Sequence, residues 1–183
     1  MPKILPLGDP ILRKKARAVL IKDSSSRKIQ EIVRQIKERM KKIKQISPEH
    51  GNGLCAPQLG HSRRIMILFF DGKHHVYLNP RITWKSDGMI PSSEGCLSFF
   101  YLRGYVKRHE KVRVSAFDEL GQKVESLFSG RLAALAQHEL DHLNGVLYLD
   151  KIKDLREVVS IDERYRDNPK KLQRIKNIIN YVT

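Results

Sequence analysis

The feature that most constrains the fold is a change of hydrophobic period after residue 46. In residues 25–46 the apolar side chains recur every three or four positions, as on one face of a helix, and Lys, Arg and Gln fill the other face. Serines at positions 24–26 supply N-caps, and Ser47-Pro48 ends the run. The pattern predicts an amphipathic helix whose apolar stripe faces the core: Ile29, Ile32, Val33, Ile36, Met40 and Ile43.

The next segment consists of short runs rich in β-branched and aromatic residues, several of them separated by turn residues such as Asp71-Gly72. The predicted strands are residues 64–70, 76–79, 105–108, 112–117 and 123–128, and helical patterns return at 131–144 and 170–181. A helix, several antiparallel strands and two further helices, in that order, indicate an α+β fold with an N-terminal amphipathic helix and a C-terminal helix.

The length of 183 residues, with no evident linker, indicates one domain over residues 1–183, of which 151–183 form a basic C-terminal helical extension. The net charge of +15 is concentrated at the two ends. Residues 1–50 hold 14 basic and 5 acidic residues, residues 51–150 hold 12 and 10, and residues 151–183 hold 9 and 5. These basic ends favour a polyanion such as nucleic acid as a neighbour, or else are solvated helix faces.

Other classes of protein do not fit this composition. No apolar run approaches the roughly 20 residues that cross a bilayer, and the N-terminus has the features of neither a signal peptide nor a transit peptide. Two cysteines are too few for a disulfide framework. We therefore expect a cytoplasmic protein with no membrane partner.

The strongest chemical signal is the segment HELDH at residues 138–142. Residues four apart share one face of a helix, so His138 and His142 can meet one divalent metal. Glu139 lies beside them, where a carboxylate can handle a proton of an activated water. Two histidines leave a catalytic site one protein ligand short.

The pattern leaves the third ligand open. In one class of zinc protease it would be a His six residues after the second, but Tyr148 occupies that position. A downstream carboxylate, Glu157 or Glu163, would suit another class. The upstream alternative is Cys96, because two His and one Cys form a known catalytic set.

A third segment is the glycine-rich stretch GNGLCAPQ at residues 51–58. It lacks the Lys and Ser/Thr of a phosphate loop, and by itself it predicts only a turn-rich loop. Together with EGCLS at 94–98 and QHELDHLNG at 137–145, it resembles the peptide deformylase family, whose motifs are GxGLAAxQ, EGCLS and QHExDHxxG. The likeness runs from the GDPILR segment at residues 8–13 to about residue 150.

The resemblance implies a fold of antiparallel sheets around a central HExxH helix, and an enzyme that removes the formyl group from N-formylmethionyl polypeptides. It assigns one divalent metal, Fe²⁺ in most of the family with Zn²⁺, Ni²⁺ or Co²⁺ as alternatives, to Cys96, His138 and His142. By the same resemblance Glu139 is the general base and then the acid. Gln58 and the backbone N–H of Leu97 face the developing oxyanion.

Other residues are expected to support this site. A metal-bound His usually needs an acceptor for its other nitrogen, and Glu94 and Asp141 are the acidic candidates, with Arg108 placed to hold Glu94. The substrate-binding residues are expected to line an apolar pocket for the methionine and to contact the peptide backbone: Gly51, Asn52, Gly53, Leu97, Arg103, Ala134 and Leu135.

The chain departs from the family pattern in three places. Cys55 replaces a usual alanine; it is either a silent exchange of small residues, which we expect, or an oxidisable thiol near the site. Asn52 stands where an apolar residue is usual, and residues 99–101, FFY, replace a Val-Pro continuation. These changes affect the expected substrate groove and leave the metal ligands intact.

Three hypotheses follow. The first is a deformylase that makes transient contact with ribosomal RNA through its basic helices, with no DNA partner. The second is an HExxH peptidase with Glu157 or Glu163 as the third ligand. The third is a non-catalytic basic module that binds RNA or the ribosome.

Overall fold

A computed structural model of the chain describes residues 2–182. Its helices are α1 (Arg27–Ile46), α2 (Gly130–Leu143), α3 (Ile161–Arg164) and α4 (Pro169–Val182). Its strands are β1 (Gly53–Cys55), β2 (Ile65–Phe70), β3 (Lys73–Lys85), β4 (Met89–Glu94), β5 (Leu102–His109), β6 (Lys111–Phe117), β7 (Lys123–Ser129) and β8 (Val159–Ser160). The expected α+β class with antiparallel sheets is confirmed.

A five-stranded antiparallel sheet, in the order β1-β2-β3-β6-β7, separates two cores. Alternate residues of a strand point to opposite faces, and β2 is buried on both. Ile65 and Ile67 pack into the core that contains α1 and α4, whereas Met66 and Leu68 pack into the core that contains α2. The sheet therefore supports α2 from one side while α1 covers the other.

Helix α1 follows from its periodicity and its cap. The Ser26 hydroxyl accepts a hydrogen bond from the Ile29 N–H at 3.4 Å, and the apolar stripe is buried against the sheet and α4. Full burial of such a side chain contributes about 1.5–3 kcal/mol to stability, so the stripe anchors this side of the fold.

Helix α2 carries the HELDH segment and contacts strands of both sheets. The second sheet has the order β4-β5-β8 and is also antiparallel. Its register pairs Glu94, the last residue of β4, with Gly104 on β5. The EGCLS segment therefore leaves the sheet beside α2.

Several predicted boundaries were wrong for identifiable reasons. Strand β3 is longer than predicted because a register shift between Leu78 and Arg81 accommodates Pro80, which would otherwise interrupt a strand. Strand β4 is absent from the predicted strands because it contains Pro91. It is an edge strand, and proline is tolerated on edge strands. The glycine-rich stretch is more than a loop, since it contains β1 and the 3₁₀-helix Ala56–Leu59.

The C-terminal extension is also less simple than the predicted helical tail. Before α4 it contributes β8, which pairs with β5 so that Val159 lies opposite Arg103. The Ile161 N–H donates to the Tyr101 carbonyl at 2.8 Å, and α4 contacts both α1 and the 3₁₀-helix Leu97–Phe99. Residues 159–182 are therefore packed on the body of the domain.

Candidate metal centre and active-site cleft

Three side chains from two distant segments converge where Cys96 of the EGCLS segment meets helix α2. Cys96, His138 and His142 each offer a ligand atom, and these atoms all lie within 4.8 Å of one another. The Cys96 Sγ is 3.2 Å from His142 Nε2, and the two imidazole rings, one helical turn apart on α2, are 4.9 Å apart between centroids. All three residues are buried.

The chemistry of these donors fits a divalent metal. Burial acts to raise the pKa of the Cys96 thiol, but the adjacent His142 and His138 outweigh it and lower that pKa to about 6. A thiolate is the ligand form of cysteine, and two His with one Cys leave a coordination position open for a reactant. His142 Nδ1 is buried without a hydrogen-bond partner among the described residues, and Nε2 is the ring nitrogen that faces Cys96 Sγ.

The orientation of His138 is set by a buried carboxylate. The His138 Nδ1 lies 2.9 Å from Glu94 Oε2, which leaves Nε2 for the metal centre. Arg108 donates to both oxygens of Glu94, at 2.7 and 2.8 Å. Burial acts to raise the pKa of Glu94, but the hydrogen bonds from Arg108 and His138 lower it to about 2, so Glu94 is an anion that favours the Nδ1–H tautomer.

Asp141 has a different role from the one considered for it. It contacts neither imidazole. Instead its Oδ2 accepts from Arg108 Nη1 at 2.5 Å, and its Oδ1 is 3.4 Å from Lys151 Nζ. Of the two acidic candidates for the acceptor of a histidine nitrogen, Glu94 therefore makes that contact, and Asp141 binds Arg108 instead. Asp141 holds the arginine that holds Glu94.

The carboxylate of Glu139 lies against β1. A Cβ built on Gly53 would lie 2.4 Å from Glu139 Oε1, so only glycine leaves room for the carboxylate there. On the same strand the Cys55 Sγ is 2.9 Å from Glu139 Oε2 and 3.2 Å from the Glu139 backbone carbonyl. Burial and the nearby Glu139 raise the pKa of the Cys55 thiol well above its usual range, so it keeps its proton.

Gln58 and Leu97 lie on the other side of the centre. The Gln58 amide is fixed because its Oε1 accepts from the Cys55 N–H at 3.0 Å. Its Nε2 consequently points to Cys96 Sγ at 3.5 Å and Ser98 Oγ at 3.4 Å. Leu97 begins a 3₁₀-helix, and the first N–H groups of a helix have no partner inside it.

A cleft of about 720 Å³ opens onto this centre. All of the predicted substrate-binding residues line it: Gly51, Asn52, Gly53, Leu97, Arg103, Ala134 and Leu135. Arg103 lies flat along the chain at Gly95, where a Cβ would come 1.1 Å from its Nη1, and its guanidinium stacks on Phe100 at 4.6 Å. Asn52 is tied by its Oδ1 to Lys44 Nζ at 2.6 Å, which turns this polar side chain to the rim.

The cleft wall also contains residues that the sequence motifs do not predict. Tyr165 and Lys171, from the C-terminal segment, line the cleft. Lys171 Nζ forms an ion pair, at 2.9 Å, with Oε2 of Glu49 in the loop after α1. His50 also lines the cleft and packs edge-on against Phe100 at 5.3 Å. No local sequence pattern marks these residues, because contacts between segments far apart in the chain bring them together.

The two carboxylates that were alternative third ligands lie outside this group, whereas Tyr148, at the position of the missing third histidine, lies beside it. Glu157 and Glu163 are exposed, and Glu163 is paired with Arg166. Tyr148 is buried, with its ring stacked 6.0 Å from that of His138 and 5.1 Å from that of Phe99. Within residues 2–182, the Cys96–His138–His142 group is the one cluster of three or more such side chains placed to hold a metal.

Comparison with known proteins identifies the family. A sequence model of the polypeptide deformylase family matches residues 1–158. The chain belongs to this family of enzymes. The peptide deformylase of Pseudothermotoga lettingae is 39% identical over 154 residues, which cover 84% of each chain. The peptide deformylase of Symbiobacterium thermophilum is 41% identical over 151 residues, which cover 81% of this chain. The match spans 65% of that relative, just under two thirds of its length.

The fold of the family matches as well. A class I type b peptide deformylase from Acinetobacter baumannii, bound to Met-Ala-Ser, superposes with a TM-score of 0.76 at 30% identity. The superposition covers 83% of this chain and 98% of the Acinetobacter chain. The family match ends at residue 158, so Tyr165 and Lys171 lie beyond it. Among the helices of residues 2–182, none is long and apolar enough to cross a membrane.

Proposed function

We propose that this protein is a peptide deformylase, which hydrolyses the N-formyl group from the formylmethionine of newly made polypeptides and releases formate. The observation that carries the proposal is the convergence of Cys96, His138 and His142 within 4.8 Å, with Glu139 next to His138 on α2. Family membership supports the same reaction. We place the protein in the cytoplasm, where such polypeptides are made.

The three ligands would hold one divalent ion, with Fe²⁺ favoured by the family resemblance and Zn²⁺, Ni²⁺ or Co²⁺ also compatible with the donor set. Such an ion would polarise the formyl carbonyl and make water a nucleophile near neutral pH. Glu94 keeps His138 in the tautomer that such binding needs, and Arg108 with Asp141 keeps Glu94 in place.

The protein's own groups handle the proton and the developing charge. Glu139 accepts the proton of the attacking water and then delivers it to the leaving amine. The Gln58 Nε2 and the Leu97 N–H donate to the oxygen that becomes negative, and one such donor contributes roughly 3–4 kcal/mol to transition-state stabilisation. The Cys55 N–H holds the Gln58 amide in the orientation that makes Nε2 the donor.

The cleft accepts the peptide. We assign Leu97, Ala134 and Leu135 to an apolar pocket for the methionine side chain and the Arg103 guanidinium to a contact with the peptide backbone, since all four residues line the cleft. Binding of Met-Ala-Ser by the Acinetobacter relative supports a peptide in this cleft.

The decisive experiment is the measurement of formate release from a formyl-Met tripeptide by protein loaded anaerobically with ferrous iron or nickel. We expect turnover in the parent and its loss in Glu139→Ala, with metal content unchanged. Bound metal without turnover in the parent would contradict this substrate and direct attention to Asn52 and residues 99–101. Failure to bind metal would overturn the catalytic proposal and favour a basic binding module.

Cobalt substitution tests the ligand set independently. A thiolate–cobalt charge-transfer band is expected in the parent and should disappear in Cys96→Ser. Persistence of the band and of the metal in Cys96→Ser would favour a peptidase-type ligand set with a carboxylate. The Cys55→Ser variant is the matched control, because it removes the other cysteine and should keep the band.

We also propose that the protein makes transient contact with ribosomal RNA. Helices α1 and α4 pack together, and basic residues are exposed on both: Arg27, Lys28, Lys41 and Lys42 on α1, and Lys170 and Arg174 on α4. The charge of these helices supports an electrostatic contact with phosphates.

A further inference from the structure

Cys55 contacts the general base of the proposed reaction. Strand β1 presents Gly53 and Cys55 on one face, because residues two apart in a strand point the same way. Both meet the Glu139 carboxylate: Gly53 leaves room for Oε1, and the Cys55 Sγ lies 2.9 Å from Oε2. The family motif has alanine at position 55, and an alanine would offer Oε2 no hydrogen-bond donor there.

The thiol has a proton to donate and two possible acceptors. It is fully buried and its pKa is raised by burial, so it is a neutral S–H group. The Glu139 carboxylate oxygen is closer than the Glu139 backbone carbonyl, at 2.9 against 3.2 Å. A carboxylate is also the stronger acceptor when it is charged, and the carbonyl lies inside α2, where helix hydrogen bonds use it.

We propose that Cys55 is a positioning residue for the reaction, whose S–H donates to Glu139 Oε2 and holds the carboxylate in the orientation for proton transfer. This inference rests on the proposed function for its kinetic consequence, while the contact itself stands on geometry. The same residue uses its backbone N–H to orient Gln58, so one position aligns both the base and an oxyanion donor. This proposal competes with the prediction that Cys55 is a silent exchange, and the kinetic test below separates the two.

The contact is tested by the S–H stretching band in the infrared spectrum. The difference between the spectra of the parent and of Cys55→Ala isolates the Cys55 band whatever the state of Cys96, the only other cysteine of the chain. We expect a band lowered in frequency relative to a free thiol, and a shift to higher frequency in Glu139→Ala. A band that does not move in Glu139→Ala would assign the proton to the backbone carbonyl and overturn the proposal.

The kinetic consequence is tested in the metal-loaded enzyme. We expect Cys55→Ala to lower kcat about three- to tenfold at unchanged KM, and Cys55→Ser, which retains a donor, to recover most of the loss. An Ala variant with the parent's kcat, or a Ser variant as slow as the Ala variant, would overturn the positioning role. If the parent does not turn over at all, the proposed function fails, and the infrared test still decides the contact.

Discussion

The Glu139 carboxylate packs against β1 with both of its oxygens. One oxygen faces Gly53 and the other faces Cys55, so β1 lies directly against the side chain that we propose as the general base. In the proposed reaction, residues 51–53 therefore border both the base and the cleft for the substrate. At the scale of single residues, the space at Gly53 limits where the Glu139 carboxylate can lie.

Replacing Gly53 by alanine should therefore displace the base. The new Cβ would stand 2.4 Å from Glu139 Oε1, and a shift of about 1 Å at a reacting group can cost on the order of 100-fold in rate. We expect kcat for formate release to fall by about that factor while metal content stays at the parent level. Gly88→Ala, on the turn before β4, is the control, since its Cβ would meet only the Glu110 side chain. Equal rates for the two variants would contradict this account.

His50 is a second residue whose surroundings have a measurable consequence. Burial, and then the charge of Arg103, lower its pKa from 6.5 to about 4. Lys171 and Lys44 also oppose its protonation, and Glu49 favours it. Because the unfolded chain takes up a proton between pH 6.5 and about 4 that the folded chain resists, stability falls as the pH is lowered through this window.

We expect His50→Gln to remove this part of the pH dependence. Between pH 6.5 and about 4 the parent should lose up to about 1.4 kcal/mol of unfolding free energy per pH unit more than the variant. Urea unfolding of both proteins across this window measures the difference, and groups common to both cancel. Parallel pH profiles for the two proteins would show that His50 titrates as it does in the unfolded chain.

At the scale of elements, the C-terminal segment completes the cleft. Strand β8 pairs with β5 opposite Arg103, and α4 packs against the 3₁₀-helix that follows Cys96. This docking brings Tyr165 and Lys171 to the wall of the cleft, on the side of Phe100 and His50. Residues beyond the family match thus shape the space that we assign to the peptide downstream of its methionine.

Shortening Tyr165 should change peptide binding more than chemistry. We expect Tyr165→Ala to raise KM about three- to tenfold for formylated tripeptides, because an aromatic wall that buries peptide surface is lost, while kcat changes little. A formyl-Met amide, which does not reach that wall, should be hydrolysed as by the parent. Leu155→Ala, an exposed position before β8, is the control. An equal rise of KM for both substrates would place Tyr165 outside the peptide's path.

At the scale of the whole molecule, most of the net charge lies in segments other than those that contain the three motifs. The catalytic segments lie in the nearly neutral residues 51–150, whereas α1 and the C-terminal segment carry most of the net charge of +15. Both basic helices contribute to the core on the α1 side of the five-stranded sheet, and α2 lies on the other side. An RNA contact through the exposed faces of α1 and α4 would therefore not involve α2 itself, although α4 also borders the cleft through Lys171.

Binding to ribosomes should consequently depend on salt. We expect affinity to fall as salt rises, with a log–log slope that becomes shallower by about one for each phosphate contact removed. The double variant Lys41→Gln, Lys42→Gln, on the exposed face of α1, should show the shallower slope, and formyl-Met tripeptide hydrolysis should be unchanged. Binding that is insensitive to salt would exclude a phosphate contact.

Elements with a strong local signal could be predicted from the sequence. The apolar stripe of α1 and the turn-bounded strands β2, β6 and β7 follow from periodicity and capping, and the three motifs contain the Cys96–His138–His142 group that converges in the structure. Strand β4 and most of β3 could not be predicted, because Pro91 and Pro80 interrupt the strand pattern in the sequence. These two strands are stabilised by pairing with other strands.

The contacts between distant side chains could not be predicted in this way, because they depend on how the elements pack. Asp141 is turned to Arg108 rather than to an imidazole, Cys55 lies against Glu139, and Tyr165 lines the cleft. Periodicity describes which face of an element is apolar, but contacts between elements depend on how the sheets and helices pack. A thiol in place of alanine is therefore unremarkable in the chain and becomes a hydrogen-bond donor only once β1 and α2 are packed together.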